Sequence, residues 1–529
     1  MKKKNKLYNV LMLTLSALTF AGCNDFLDTM PDNRAQIDSE QKVQSMLVSA
    51  YIDHEYILAA ELISDNTDDF GENNPNTNRW FDETFAWKDE TEGANESLNS
   101  FWESAFVSIA SANQALQGIE DLGGATTTSL KECKAEALLC RAYNHFILAG
   151  MFCKHYSSSA ANDLGLPYIE HPETELNPKY ERGTLAELYE KIDRDLQEAL
   201  PMVGDSYYTV PKYHFNTKAA YAFACRFYLH YEKWEDALKY ANLCLGSQAK
   251  TMLRDWKSMA AMTQEADAIT NEYVNASSNA NLLLHTGYSV GGLVFGPYRN
   301  YSRYSHGQYL AINEDMRATN LWGNSNSFYL TPKVYTGTNM DKTIFWKLPT
   351  MFEYTDPVAG IGYRHIVYPA FTTDECLLNR AEAYILLKRY DEAAADLTTW
   401  MQNITKSTRV LTPEIITTFY NSQEYSYSDE KGLNSTIKKH LNPSFAIEEE
   451  GSTQEAMLQC MLGFRRIETM HVGLRWSDIK RYGIEIPRRV MNAAGSPERK
   501  SDFLSKDDKR RALQIPLKVR DAGLEANPR

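Results

Sequence analysis

Apolar positions along this chain recur mainly at helical spacing. Between Lys131 and Phe152 the sequence is rich in Ala, Leu and aromatic residues and has no Pro, which predicts a long helix. Thr184 stands where an N-cap belongs, with Glu187 placed to complete a capping box. Ile192, Leu196 and Leu200 then keep the period until Pro201 stops it. Thr217 to Tyr231 is apolar nearly all round, as in a helix buried between neighbours. Lys233 to Leu245 predicts another helix after a tight turn.

One pattern occurs twice. Tyr228, Trp234 and Ala237 recur at the same spacing as Tyr384, Tyr390 and Ala393. In both copies an apolar helix leads into a short Lys-bearing turn, an aromatic, two acids and Ala. This resembles the tetratricopeptide helix-turn-helix, in which a small Ala lets helices approach and aromatics fill the gap. A generic helical hairpin is the plainer reading. Between the copies, residues 251–371 are punctuated by Gly, Pro, Asn and Ser. They predict a loop-rich insertion with short strands around Leu282–Leu284 and Thr343–Lys347. Long loops on a rigid scaffold usually carry function.

The first residues read as an address. Lys2, Lys3, Lys4 and Lys6 precede an apolar stretch from Leu7 to Phe20, then Ala21, Gly22 and Cys23. This is a signal-peptide pattern, too short for a comfortable membrane span. Cys23 directly after two small residues resembles a bacterial lipobox, whose cysteine is acylated, though Phe20 stands where Leu is usual. An ordinary leader followed by a chance cysteine is the alternative. Acyl chains hold a protein on a bilayer at roughly 0.8 kcal/mol per buried methylene. The other seven cysteines (133, 140, 153, 225, 244, 376 and 460) cannot all pair, and they read as buried small hydrophobes. There is no C-x-x-C pair or His cluster to suggest zinc.

Composition narrows the function classes. Across 529 residues the formal net charge is -14, and 43% are hydrophobic, as in a packed globular protein. Such an acidic chain lacks the basic footprint of a nucleic-acid binder. The 32 Tyr and 9 Trp suit surfaces that stack on a ligand, although most aromatics in any protein are core.

An ordered series of segments resembles the SusD/RagB family of outer-membrane nutrient-binding lipoproteins from Bacteroidetes. Cys23-Asn24-Asp25-Phe26-Leu27-Asp28 with Pro31 is similar to the family's mature start. Phe101-Trp102 with Ile109 and Asn113, then Glu136 to Tyr143, match its early helices. Gly165-Leu166-Pro167-Tyr168, Glu181-Arg182-Gly183-Thr184 and Ile192 to Ala199 continue the series. Leu378 to Ala383, Arg465-Arg466-Ile467-Glu468, Gly473 to Gly483, Ile515-Pro516 and Asn527-Pro528 complete it. Phe464 and Val472 replace two usual glutamates.

The resemblance implies a mostly α, SusD-like fold of tetratricopeptide-like helix pairs with a loop-rich ligand-binding insertion. The expected division is a leader at 1–22, a helical region at 23–250, the insertion at 251–371 and a C-terminal helical region at 372–529. It implies a surface lipoprotein of the outer membrane, anchored through Cys23 and facing outside. Such a protein would bind an oligosaccharide and deliver it to a SusC-like TonB-dependent transporter, with no catalysis and no cofactor. A peptide-binding RagB-like member, an extracellular helical glycoside hydrolase and a pure scaffold are the alternatives. No Ser-nucleophile elbow, H-E-x-x-H, P-loop or dinucleotide fingerprint supports an enzyme.

No family motif fixes the ligand site, so it is sought from chemistry. Aromatic faces cover sugar C–H faces, and Asn, Asp and Arg bond the hydroxyl edges. One strip holds Tyr288, Phe295, Tyr298, Tyr301 and Tyr304 with Arg299, Asn300 and Arg303 interleaved. A second runs from Asn76 to Trp87 and contains Trp80, Phe81 and Trp87; Trp322 is a third candidate. Core packing competes at each ring. Asp65, Asp68, Asp69 and Glu72 could offer oxygens to calcium but miss EF-hand spacing, so a solvated acidic loop is expected. Glu448-Glu449-Glu450 also reads as solvated. Arg465, Arg466, Glu468, Arg475, Asp478 and Arg481 are expected to form a structural ion-pair network, with Asp478 one helical turn from Arg475 and Arg481.

Overall fold

A computed structural model describes residues 37–175, 178–298 and 302–529. The expected leader at 1–22, the anchor Cys23 and the candidate ring of Tyr301 lie outside the described residues. The main helices are α1 (Leu98–Asp121), α2 (Thr128–Phe152), α3 (Leu185–Ala199), α4 (Thr217–His230), α5 (Trp234–Leu245), α6 (Thr373–Leu386), α7 (Tyr390–Ile404), α8 (Thr453–Glu468) and α9 (Arg475–Arg481). α2 begins earlier than its apolar run because the Thr127 side chain accepts from the Leu130 N–H and caps it. α3 starts on the full capping box: Glu187 Oε2 accepts from Thr184 N at 2.8 Å, and Thr184 Oγ1 accepts from Glu187 N at 3.1 Å.

Helices pack in succession, α1 on α2, α2 on α3, α4 on α5, α5 on α6, and α6 on α7 and α8. The two copies of the sequence pattern become matched helix pairs, α4–α5 and α6–α7. Each turn places a non-glycine residue in the left-handed region at the same step, Glu232 at φ 60 and Lys388 at φ 59. Lys233 N donates to Tyr228 O at 2.9 Å, and Arg389 N donates to Tyr384 O at 2.8 Å. Ala237 and Ala393 are fully buried, so the small residue sits where the helices meet.

The strands are β1 (Asp68–Asp69), β2 (Asn281–Tyr288), β3 (Tyr304–Ser305), β4 (Lys333–Gly337), β5 (Met340–Ile344), β6 (Met351–Asp356), β7 (Ile361–Thr372), β8 (Ile486–Met491) and β9 (Pro497–Leu504). One sheet has the order β3-β1-β8-β9, so it draws strands from the N-terminal region, the insertion and the C-terminal region. A second has the order β2-β7-β6, and β4 pairs with β5 as a hairpin.

The insertion is more ordered than its composition suggests. It holds short helices at Trp256–Ala261 and Ala266–Tyr273 besides its strands. The strand expected at Leu282–Leu284 is part of β2. The one expected at Thr343–Lys347 lies earlier, as β5, because the backbone turns to φ 62 at Trp346. β7 was hidden by Pro369. β6 pairs with β7 only from His365 toward the tip, so around Pro369 β7 is an edge strand, where proline is tolerated. The seven described cysteines are buried and unpaired, as expected.

Candidate functional site

The acidic segment that precedes the candidate aromatics is not a solvated loop. Asp65, Asp68 and Asp69 are buried, and only Glu72 is exposed. A carboxylate loses its hydration on burial and must be paired. Arg475 supplies two parallel bonds to Asp65, 2.8 and 2.7 Å. Arg489 Nε donates to Asp68 at 2.9 Å, and Arg303 takes both oxygens of Asp69 at 2.7 and 2.9 Å. Arg466 bonds the Asp65 carbonyl, Asn66 Oδ1 and Glu314. Glu314 also receives Lys439 at 2.7 Å. Burial opposes ionisation of Glu314, but Lys439, Arg466 and Arg489 outweigh it and hold the carboxyl down at about 2. Asp65 is likewise held far below its usual range, by Arg466 and Arg475 against the cost of burial.

The C-terminal arginines therefore form an ion-pair frame, but not along their own helix. Asp478 binds Arg465 of α8, at 3.1 and 2.5 Å, rather than Arg475 or Arg481. Arg481 and Tyr482 both donate to Glu382 Oε1, and Arg465 reaches the other oxygen. Glu468 accepts the Trp400 indole at 2.9 Å instead of pairing with an arginine of this set. α9 is buried around nearly all its girth, so its charges meet acids on facing elements instead of neighbours one turn away. Glu448 and Glu450 are surface residues, paired with Lys388 and His440.

The candidate rings sit on this frame from the inside. Trp80 is 1% exposed, and its indole donates to Glu90 Oε1 at 2.7 Å. Trp87 is also 1% exposed; it donates to the Ile63 carbonyl and lies under Arg488 at 3.8 Å. Tyr304 stacks on Phe85 at 4.3 Å and donates to Asp82. Trp322 is buried between Phe328 and Phe464. As site residues these four are corrected: their faces are spent on packing and their polar tips, Trp322 excepted, on internal acceptors. Tyr298 is half-buried, and its hydroxyl donates to Asp267 at 2.7 Å.

What residues flanking the two strips do is brace one edge of a groove. Asn74 donates to the carbonyls of Ser302 and Asn339, and Arg303 N donates to the Asn76 carbonyl. These bonds tie the segment after β1 to the β4–β5 turn, where Asn339 takes φ 53, a left-handed position that Asn tolerates. Beside that turn lies an open cavity of about 560 Å³. Its walls are the helix Gln308–Glu314, the β4–β5 hairpin and the Ala493–Ser496 turn between β8 and β9. The helix buries Leu310, Ala311 and Glu314 and turns Tyr309, Ile312 and Asn313 to the groove. Tyr309 is fixed by Arg489, whose guanidinium lies 5.3 Å from the ring centre. Asn313 donates one amide hydrogen to the Tyr309 carbonyl.

Asp341 is the chemical centre of the groove. One carboxylate oxygen accepts from Gln308 N at 2.7 Å and anchors the helix start. The other, Oδ1, is buried and has no hydrogen-bond partner among the described residues. Burial pushes this carboxyl up to about 6, so it is still ionised at neutral pH. Gly495 takes φ 75, and a Cβ there would lie 3.4 Å from Asp341 Oδ2, so the turn packs close against the acid. Tyr309, Asn313 and Asp341 were not singled out in the sequence. The signal available was the polar outer face of the Gln308–Glu314 turn, but nothing local linked it to residues 493–496.

A second exposed feature is the β6–β7 hairpin, which carries Phe352, Tyr354, Ile361 and Tyr363 at its surface. Phe352 and Tyr354 meet edge to face at 4.8 Å, and Tyr363 meets Tyr288 at 5.7 Å.

Comparison with known proteins follows the same architecture. Residues 25–229 match the SusD-like family described as starch-binding associating with outer membrane. A SusD superfamily protein from Bacteroides thetaiotaomicron superposes with a TM-score of 0.61 at 18% identity, over 94% of this chain and 100% of its own. The chain has a SusD-like fold. A SusD-like carbohydrate binding protein from Bacteroides vulgatus gives a TM-score of 0.60 at 15% identity, over 92% and 96% of the two chains. A SusD-like protein from Bacteroides fragilis gives 0.57 at 15%, over 94% and 98%. No curated protein matches the sequence significantly. The SusD-like fold that the resemblance implies is thus present, over 92–94% of this chain in these comparisons. No described helix is long and apolar enough to cross a membrane.

Proposed function

We propose that this SusD-like protein is a lipid-anchored, non-catalytic binder of the outer membrane that captures an oligosaccharide in the Tyr309–Asp341 groove. Delivery to a SusC-like TonB-dependent transporter completes the role. The observation that carries this reading is an open groove lined by Tyr309, Asn313 and Asp341, whose carboxyl keeps one oxygen, Oδ1, without a hydrogen-bond partner among the described residues. A carboxylate oxygen accepts from sugar hydroxyls, and an aromatic face covers the C–H surface of the same ring. The family description of residues 25–229 points to the same ligand class. Capture without cleavage is favoured because glycoside hydrolysis needs two carboxyl groups about 5–10 Å apart. Asp341 is the only acid among the described residues that line the groove. A peptide ligand, as in a RagB-like member, would also find an acceptor here, but no basic residue lines the groove to meet a peptide carboxylate.

The test is a titration of the purified protein against a panel of neutral oligosaccharides and peptides, with reducing-end release followed in parallel. Saturable binding of a glycan that is lost in Asp341→Asn and Tyr309→Ala, without release of reducing ends, is expected. Binding of peptides alone, or glycan binding indifferent to both substitutions, would remove the groove from the account. Copurification with a barrel partner from the outer membrane tests the delivery step.

A further inference from the structure

A separate cavity of about 520 Å³ lies where the end of α2, the end of α9, the Lys509–Arg511 turn and the last residues of the chain converge. It shares no lining residue with the groove. Two buried basic side chains belong to its wall, Arg511 and Lys480, whose ammonium burial pushes down to about 7. Lys480 donates to the carbonyls of Gly150 and Cys153, at 2.7 and 2.6 Å. Arg511 donates to the carbonyls of Ser505, Ile479 and Ile484, at 2.8, 3.0 and 2.5 Å. Among the described residues neither has an acid within ion-pair distance. An ammonium has three N–H donors and a guanidinium five, so carbonyls leave part of each unused.

Other cations in this protein are also held by carbonyls, Arg488 and Lys347 among them, but those two lie in the packed interior. Lys480 and Arg511 instead face open volume. The acids at the mouth are already engaged: Asp163 by Lys154 and Ser159, Asp508 by Arg510. Lys506 and Lys509 add exposed positive charge at the rim against the single exposed Asp507. A low-dielectric wall concentrates such a field on whatever enters.

We infer that this cavity is a second ligand site, which takes the carboxylate of an acidic sugar. A charge-assisted bond to the free donors of Lys480 and Arg511 would supply the counter-ion the site lacks. The volume is that of a small-molecule pocket and exceeds a bare inorganic anion. Ser157, Ser444 and Asn162 offer neutral polar partners for ring hydroxyls, while Ala512 and Pro528 give an apolar wall. The positive field is visible in His155, whose imidazole is pushed down to about 4, first by burial and then by Lys480, Arg481 and Arg511.

Calorimetric titration of the full chain with glucuronate, glucose and inorganic phosphate at pH 7 tests this. Saturable binding of glucuronate and not glucose is expected. It should weaken at least tenfold in Lys480→Met and at least threefold in the paired rim variant Lys506→Glu, Lys509→Glu. Both rim residues are exposed, so that variant reports on the site even where Lys480→Met fails to fold. Absence of glucuronate binding, equal binding of glucose, tighter binding of phosphate, or a rim variant with unchanged affinity would each overturn the inference. None of these outcomes bears on glycan capture in the groove.

Discussion

Arg475 holds Asp65 in a two-pronged grip, Nε on Oδ1 and Nη2 on Oδ2, across 410 positions of sequence. Both side chains are buried, so neither can fall back on water when the other is removed. Arg475→Met therefore leaves the Asp65 carboxylate with only its longer contact to Arg466, at 3.7 Å, and is expected to cost about 3 kcal/mol. The double variant Asp65→Leu, Arg475→Met should cost clearly less than the sum of the single changes. Urea unfolding of the four proteins in the cycle measures this; strict additivity would mean the pair is not coupled.

Glu382 sets the acid limit of the fold. Burial opposes its charge, but Arg465, Arg481 and the Tyr482 hydroxyl hold it down at about 2. Its pKa is lower folded than unfolded, so its stabilisation is complete above pH ~4.5 and is lost as pH falls toward 2. A shift of that size corresponds to roughly 3 kcal/mol. Urea midpoints measured from pH 7 down to pH 2 should fall steeply below 4.5 in the parent protein. Glu382→Gln should be less stable at neutral pH and show a shallower acid decline.

In the groove, Asp341→Asn removes a charged acceptor and keeps its shape. A hydrogen bond to a charged group is worth about 1.5–3 kcal/mol, so glycan affinity should fall by roughly ten- to a hundredfold. The unfolding midpoint should move little. Trp80→Ala is the contrast. Its ring is core, and truncation should cost about 3–5 kcal/mol of stability, with any loss of binding following from unfolding. Calorimetric binding beside urea unfolding separates the two cases.

The matched turns make a paired prediction. Glu232 and Lys388 occupy the left-handed region at φ 60 and 59, where a Cβ is disfavoured by about 1–2 kcal/mol. Glycine relieves that strain but loses more chain entropy on folding. Glu232→Gly and Lys388→Gly should therefore each raise stability by about 0.5–1 kcal/mol, and by similar amounts. Opposite signs at the two sites would break the equivalence of the helix pairs.

The helices were readable because their causes are local. Thr184 and Glu187 cap α3 through bonds three residues apart, and the 3.6-residue period does the rest. The groove was not readable, because Tyr309, Asp341 and Gly495 meet only after three distant segments fold together. The aromatic strips misled for the same reason. A ring such as Trp87 has the same chemistry whether it faces a sugar or Arg488, and only the tertiary packing decides. The acidic run misled because its counter-charges, Arg475 and Arg489, lie at the far end of the chain.

The sheet that joins β1 to β8 imposes an order of assembly. Asp69 cannot find its partner Val490 until nearly all of the polypeptide has been made. Until then Asp68 waits without Arg489, its counter-charge, and a chain cut short before that strand has no means of sealing that edge.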